Sequence, residues 1–293
     1  LRYGLKVYID VCERLDKPEE IEWAKDKLQQ VDAAIQEHCW DGEWFVRAYR
    51  DDGSVIGSAE NEEGSIFLNT QSWSVLSGAA DVEQALTAMD SVDERLATDY
   101  GIMVCTPPFS EKTDYHVVRA VVINQGMKEN GGIFCHTQGW AVMASALLGQ
   151  NERAYRFYRA YMPAAYNTRA EVREIEPYVH CQSTHSKFSR RFGASRIPWL
   201  SGTVAWSYYA GTHAILGIKP DYDGLVIDPC LPSEWPEVEV ERTFRGKRFN
   251  IHIINGEQGK GVKSMTVNGE ELDGNLIPAG AFEDVNEVKV ELA

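Results

Sequence analysis

A single change of period divides this 293-residue chain. As far as Leu216 the apolar residues return with helical spacing, and beyond Asp221 they alternate with polar ones. Those two periods bury different kinds of face, so the sequence predicts a mainly α unit over 1–220 followed by a β unit over 221–293. Leu5, Tyr8, Ile9, Cys12 and Leu15 mark a first helix, and Pro18-Glu19-Glu20 opens a second, whose stripe is Ile21, Ala24, Leu28, Val31 and Ile35. A short hairpin is expected around 44–49, between the turn dipeptides Asp41-Gly42 and Asp52-Gly53. Helix pairs follow at 70–80 with 82–96, broken at Asp81, and at 137–148 with 152–161, stopped by Gly149 and Pro163; a last apolar helix is expected over 200–216. The runs VEVERTF, RFNIHII, KSMTVNG and EVKVEL predict a small antiparallel β-sandwich. No fixed-period repeat is visible, although helix pairs recur.

Between 128 and 202 the texture differs from ordinary connections. GMKENGGIFCHTQGW, REIEPYVHCQSTHSK and SRIPWLSGT set polar groups among Trp, Tyr and Phe, and 166–196 is too long and too aperiodic for a plain link. Polar side chains walled by aromatics suit a sugar: a ring face covers pyranose C–H groups, while His136, Arg173, Glu176, Gln182, His185, Lys187 and Arg196 can partner the hydroxyls. Trp199, Trp206 and Tyr208 read as wall and core, and Trp140 and Tyr155 as core. His180 and His185 flank Cys181, but their spacing is unlike a zinc site and no further ligands cluster nearby, so no metal is expected.

Charge and cysteine content narrow the partners. A net charge of −15 argues against nucleic acid and anionic membranes, which require a basic face. The six cysteines are scattered without a CxxC pair, which reads as reduced thiols in a cytoplasmic protein. Neither a membrane-spanning apolar run nor a secretory leader is seen, and Leu1 falls inside a helical pattern, which suggests a piece of a longer chain.

KENGGIFCHTQGW, AYRFYRAYMPAAYN, VREIEPYVHCQSTHSK, FGASRIPWLSGT and ILGIKPDYDGLVIDPCLPSEW together resemble the C-terminal portion of the family 94 glycoside phosphorylases, most closely the cellobiose-cleaving members. The resemblance implies part of an (α/α)6 toroid followed by a C-terminal β-domain. It also implies inverting phosphorolysis of a β-glucosidic disaccharide: inorganic phosphate, as co-substrate, attacks the anomeric carbon while an Asp of a DWND motif protonates the leaving oxygen. No other cofactor is implied. DWND is absent from these residues, so no catalytic acid is expected within this chain; it belongs upstream, in an N-terminal half without which the chain is expected to be inactive. By motif, His136, Ser201, Gly202 and Gln182 correspond to phosphate ligands, and Lys128, Glu129, Glu176 and Gln182 to sugar contacts. Partners so implied are a disaccharide, phosphate, the N-terminal half and a second copy in a homodimer.

Three readings stay open at this point. Relatives acting on chitobiose, laminaribiose, cellobionic acid or cellodextrins share much of the pattern. An inverting hydrolase on the same toroid would need a water-activating carboxylate, for which no position stands out. A noncatalytic sugar-binding module would need none of the chemistry.

Overall fold

The computed structural model describes residues 1–256 and 259–293. Its helical unit contains α1 (Arg2–Arg14), α2 (Pro18–His38), α3 (Leu68–Ser77), α4 (Val82–Leu96), α5 (Gln138–Leu147), α6 (Asn151–Tyr161), the single turn α7 (Ala170–Arg173) and α8 (Thr203–Tyr209). Pro18 stands in the first turn of α2, where its missing N–H costs no bond. The break at Asp81 is a capping box: Asp81 accepts from the Gln84 N–H at 2.8 Å, and the Gln84 side chain accepts from the Asp81 N–H at 3.2 Å. The expected hairpin pairs Ala48–Tyr49 with Val55–Ile56.

Helices α3, α5 and α8 pack in that order around an apolar centre that includes Leu68, Val75, Val142 and Phe157. Their tryptophans form a chain of edge-to-face contacts, Trp73 to Trp140 at 5.5 Å and Trp140 to Trp206 at 5.6 Å. Gly139 permits the close approach of α5 to α8, because a Cβ there would sit 2.9 Å from the Trp206 carbonyl oxygen. Outside them, Arg156 of α6 holds Asp93 of α4 at 2.5 Å. The helix expected over 200–216 begins at Thr203 and passes into a π-helical segment, Ala210–Ile215. Six residues are too few for the wider π turn to shift the apolar spacing, so the change is invisible in the pattern.

A local duplication accompanies the helix pairs, although no fixed period runs along the chain. IFLNTQSW at 66–73 and IFCHTQGW at 133–140 each form a two-residue strand and the start of an inner helix, reached directly at Leu68 in the first and through the turn Cys135–Thr137 in the second. Gln71 accepts from the Phe45 N–H at 2.8 Å and donates to the Phe45 and Phe67 carbonyls, both at 2.9 Å. Gln138 accepts from the Ile102 N–H at 2.7 Å and donates to the Ile102 and Phe134 carbonyls at 2.9 and 3.1 Å. The likeness is confined to these short segments, which is why no period shows along the chain.

Two sheets make up the β-rich part. Ile218–Pro220, Gly224–Ile227 and Leu276–Pro278 form an antiparallel three-stranded sheet. The larger sheet has the order Glu237–Phe244, Lys247–Ile254, Val285–Leu292, Val262–Val267, Glu270–Glu271. Its pairing is not wholly antiparallel: Lys247–Ile254 and Val285–Leu292 run parallel. Leu276–Pro278 lies in the other sheet, and that excursion lets the chain return along the same direction. Alternation buries Phe249, Ile251 and Ile253 with Val288, Val290 and Leu292, in an apolar cluster continuous with that of the helices. At the seam Asp228 binds Lys219 at 2.6 Å and Lys260 at 3.1 Å, and Tyr155 packs on Trp235 at 4.9 Å. Among the described residues no helix is long and apolar enough to cross a membrane.

Candidate active site

A three-stranded antiparallel sheet gathers the singled-out motifs. Cys181–Thr184 is its central strand, flanked by Ile133–Phe134 and Ser195–Pro198, with Phe134 opposite Ser183 and Ser183 opposite Arg196. The first edge strand runs directly into the turn bearing His136; the other runs into Trp199, Leu200, Ser201 and Gly202. Thr203 Oγ1 donates to the Cys181 carbonyl at 2.9 Å, tying the start of α8 to the central strand, and the turn Cys135–Thr137 lies against α8. His136, Gln182 and Ser201-Gly202, distant in sequence, thus stand on three adjoining segments.

His136 is half-buried, with Phe134 and Trp140 edge-on to its ring at 4.9 and 5.1 Å. Burial is the sole cause lowering its pKa, so the free imidazole is neutral at pH 7 and offers one N–H donor. Gly202 precedes α8, while Ser201 Oγ accepts from the Thr203 N–H at 3.0 Å and contacts Thr203 Oγ1. Capping therefore uses Ser201 from one position further out than a plain N-cap.

Lys128 takes a left-handed conformation with φ 44°, inside a tight turn whose residue Asn130 is wholly buried. Asn130 donates to the Phe109 and Ile123 carbonyls at 2.9 and 2.7 Å and accepts from the Phe109 N–H at 2.7 Å, so its amide braces the turn. Lys128 is half-buried and Glu129 exposed. Gly132 closes the turn: a Cβ there would fall 2.4 Å from the Lys128 nitrogen.

Several candidates lie elsewhere than expected. Glu176 is exposed and accepts from Trp199 Nε1 at 3.3 Å, so it holds an indole and not Arg173. Arg173 is buried and donates to the Val179 carbonyl at 3.2 Å. Arg196 donates to its neighbour Ser195's carbonyl at 2.7 Å and meets Glu174 at 3.4 Å. Lys187 sits over the Phe188 ring. His185 is buried, with Nδ1 bonded to Ser189 Oγ at 2.9 Å. Trp199 is 72% exposed and Tyr208 58%, which corrects their reading as core: Trp199 has φ 67° and swings outward, and Tyr208 receives Arg242 at 2.9 Å. Trp206 and Trp140 do pack together. A cleft of about 730 Å³ between α4, α6 and Tyr166 contains none of these residues.

Sequence reasoning missed a thiol pair beneath the sheet. Cys135 and Cys181 are both buried with their sulfurs 3.5 Å apart. The hydrogen bond from Cys135 lowers the Cys181 pKa, with Arg173 assisting, while the same contact raises that of Cys135. The interleaving of CH in FCHTQGW and CQ in HCQST places each cysteine next to a candidate ligand, a signal legible only once the strands are paired.

Residues 1–217 match the glycosyl hydrolase 94 superfamily catalytic domain, and 218–271 match the glycosyl hydrolase family 65 C-terminal domain. An N,N'-diacetylchitobiose phosphorylase of Vibrio proteolyticus is 38% identical over 99% of the chain, and one of Vibrio furnissii 36% over 97%. A solabiose phosphorylase of Paenibacillus borealis is 32% identical over 85% of the chain. The chain spans only about a third of the length of these relatives, 36%, 36% and 32% respectively. A solved structure titled sialidase superposes with TM-score 0.61 at 14% identity, over 98% of this chain and 26% of that one, a likeness of fold alone. On the extent of the catalytic-domain match, the chain belongs to the glycosyl hydrolase 94 superfamily.

Proposed function

We propose that this chain forms the phosphate and sugar-binding side of an inverting disaccharide phosphorylase. The observation that carries the reading is the convergence of the His136 turn, the Gln182 strand and Ser201-Gly202 on one small sheet and the helix that follows it. A neutral imidazole N–H, an amide and a hydroxyl-bearing turn offer donors to an anion. Phosphorolysis suits such a set, since phosphate itself is the nucleophile and takes the place of the base that an inverting hydrolase uses to activate water. Protonation of the leaving oxygen falls to a carboxylic acid of the DWND type, which these residues do not contain. The sugar contacts are assigned to Lys128, Glu129, Glu176 and Gln182, and the larger architecture to an (α/α)6 toroid with a β-sandwich behind it.

For the substrate, two β-linked disaccharides come first. N,N'-diacetylchitobiose is favoured by what the two Vibrio relatives are named for, and cellobiose by the motif resemblance.

The test uses the protein as it is encoded, incubated with each disaccharide with and without phosphate, following the products by NMR. Phosphate-dependent release of an α-configured sugar 1-phosphate is expected. Free sugars only would establish a hydrolase, and sugar binding without bond cleavage a binding module; either overturns the proposal. His136→Ala is expected to lower kcat/KM for phosphate at least about a hundredfold, about 2.7 kcal/mol. Unchanged phosphate kinetics would remove His136 from the site.

A further inference from the structure

The duplication described above assigns a role to a residue outside the motifs. In IFLNTQSW, Asn69 occupies the position that His136 holds in IFCHTQGW. The equivalence is structural as well. Thr70 Oγ1 donates to the Phe67 carbonyl at 2.9 Å as Thr137 Oγ1 does to Phe134 at 2.8 Å, and the two glutamines make matching sets of bonds. Each motif opens an inner helix, and the two helices are in contact through Trp73 and Trp140, so positions 69 and 136 begin neighbouring elements of one wall.

Three features indicate what Asn69 meets. Its Oδ1 is buried without a hydrogen-bond partner, a desolvated acceptor that stays unpaired unless something supplies a donor. It lines a groove of about 680 Å³ together with Arg47, Thr70, Trp73 and Trp140. Trp140 is also the indole that packs on His136, so the groove and the imidazole share a wall. An amide is neutral at every working pH and both donates and accepts, as a hydroxyl does; indoles offer the faces that C–H groups of a pyranose cover.

We infer that Asn69 is a saccharide-binding residue, hydrogen-bonding a hydroxyl of the neutral sugar, and that the duplicated motif divides its work: position 136 serves the phosphate and position 69 the sugar. The inference rests on the phosphorylase reading for the identity of the sugar but not for the existence of the contact.

Two variants of the encoded protein test it, Asn69→Ala and Asn69→Leu, which fills the volume and loses both the acceptor and the donors. With the disaccharide that the wild type cleaves, both are expected to raise its KM about tenfold or more while the KM for phosphate stays within about twofold, the reverse of His136→Ala. Quenching of tryptophan fluorescence by N,N'-diacetylchitobiose and by cellobiose, without phosphate, gives the same answer without turnover. A disaccharide KM unchanged in both variants, or sugar and phosphate constants rising together, overturns the assignment. Sugar binding weakened by the variants in a protein that never phosphorolyses sinks the phosphorylase reading and leaves this one standing. Absence of sugar binding in the wild type sinks both.

Discussion

Gln138 shows how a single side chain sets the geometry of the turn that carries His136. Its amide satisfies both backbone groups of Ile102 and caps the Phe134 carbonyl, all in a buried setting. Truncation leaves a buried N–H and carbonyl unpaired, so Gln138→Ala is expected to lower unfolding stability by about 2–4 kcal/mol, summing roughly 1–3 kcal/mol per orphaned group with partial relaxation. Gln138→Glu keeps the acceptor but sets a buried carboxyl against two carbonyl oxygens, and should cost at least as much; urea denaturation compares the three proteins, and equal midpoints would refute the brace. His136 is singled out by the sequence because its motif is long and aromatic, and the structure sets its turn beside the central strand and α8. Asn69 is not singled out, since one Asn ahead of a helical run reads as an ordinary helix start, and only matched hydrogen bonds reveal it as the partner of an imidazole. The core reading of Trp199 fails because its positive φ turns the indole out to solvent, which a Trp in a polar loop does not disclose.

At the scale of elements, helices were read well where local chemistry marks their ends. Pro18 opens α2 and the Asp81–Gln84 box opens α4, and both starts stand where the residues put them. The parallel strand pair and the three-stranded sheet were hidden, because each is made by contacts between segments far apart, and a strand of two to four residues carries too few alternations to register. The KENGG turn belongs to the same class. Its closure depends on Gly132, where a Cβ would lie 2.4 Å from the Lys128 nitrogen and 2.6 Å from the Met127 carbonyl carbon, both backbone atoms that cannot swing aside. Gly132→Ala is therefore expected to force the turn open, costing roughly 1–3 kcal/mol and displacing Lys128. Thermal melting reads the first effect. A raised sugar KM reads the second, and an unaltered melting point would show that the turn yields freely.

For the whole molecule, the half-buried and buried imidazoles set how it responds to acid. Burial comes first among the causes that lower the pKa values of His136, His180, His185 and His213, and His180 falls to about 4. In the unfolded chain the same groups titrate near the ordinary value of about 6.5. Above that pH both states are neutral and the histidines contribute their full share of stability. As pH falls, the unfolded chain takes up protons that the folded one resists, and the contribution is lost until the folded values are passed. His180 alone accounts for on the order of 2 kcal/mol after allowance for its partial exposure to solvent. Carboxylates held low, such as Asp228 between its two lysines, act with the same sign but only in the more acidic range. Relief of the net charge of −15 opposes both, yet most of that charge is at the surface and screened at physiological ionic strength. The melting temperature is thus expected to begin falling near pH 6.5, ahead of carboxylate protonation, and His180→Phe, which packs a ring against Tyr161 without a titrating nitrogen, should flatten the slope between pH 6.5 and 4. A profile level down to pH 5 in the parent protein, or an identical slope in the variant, would mean that these histidines open to water as readily as they pack.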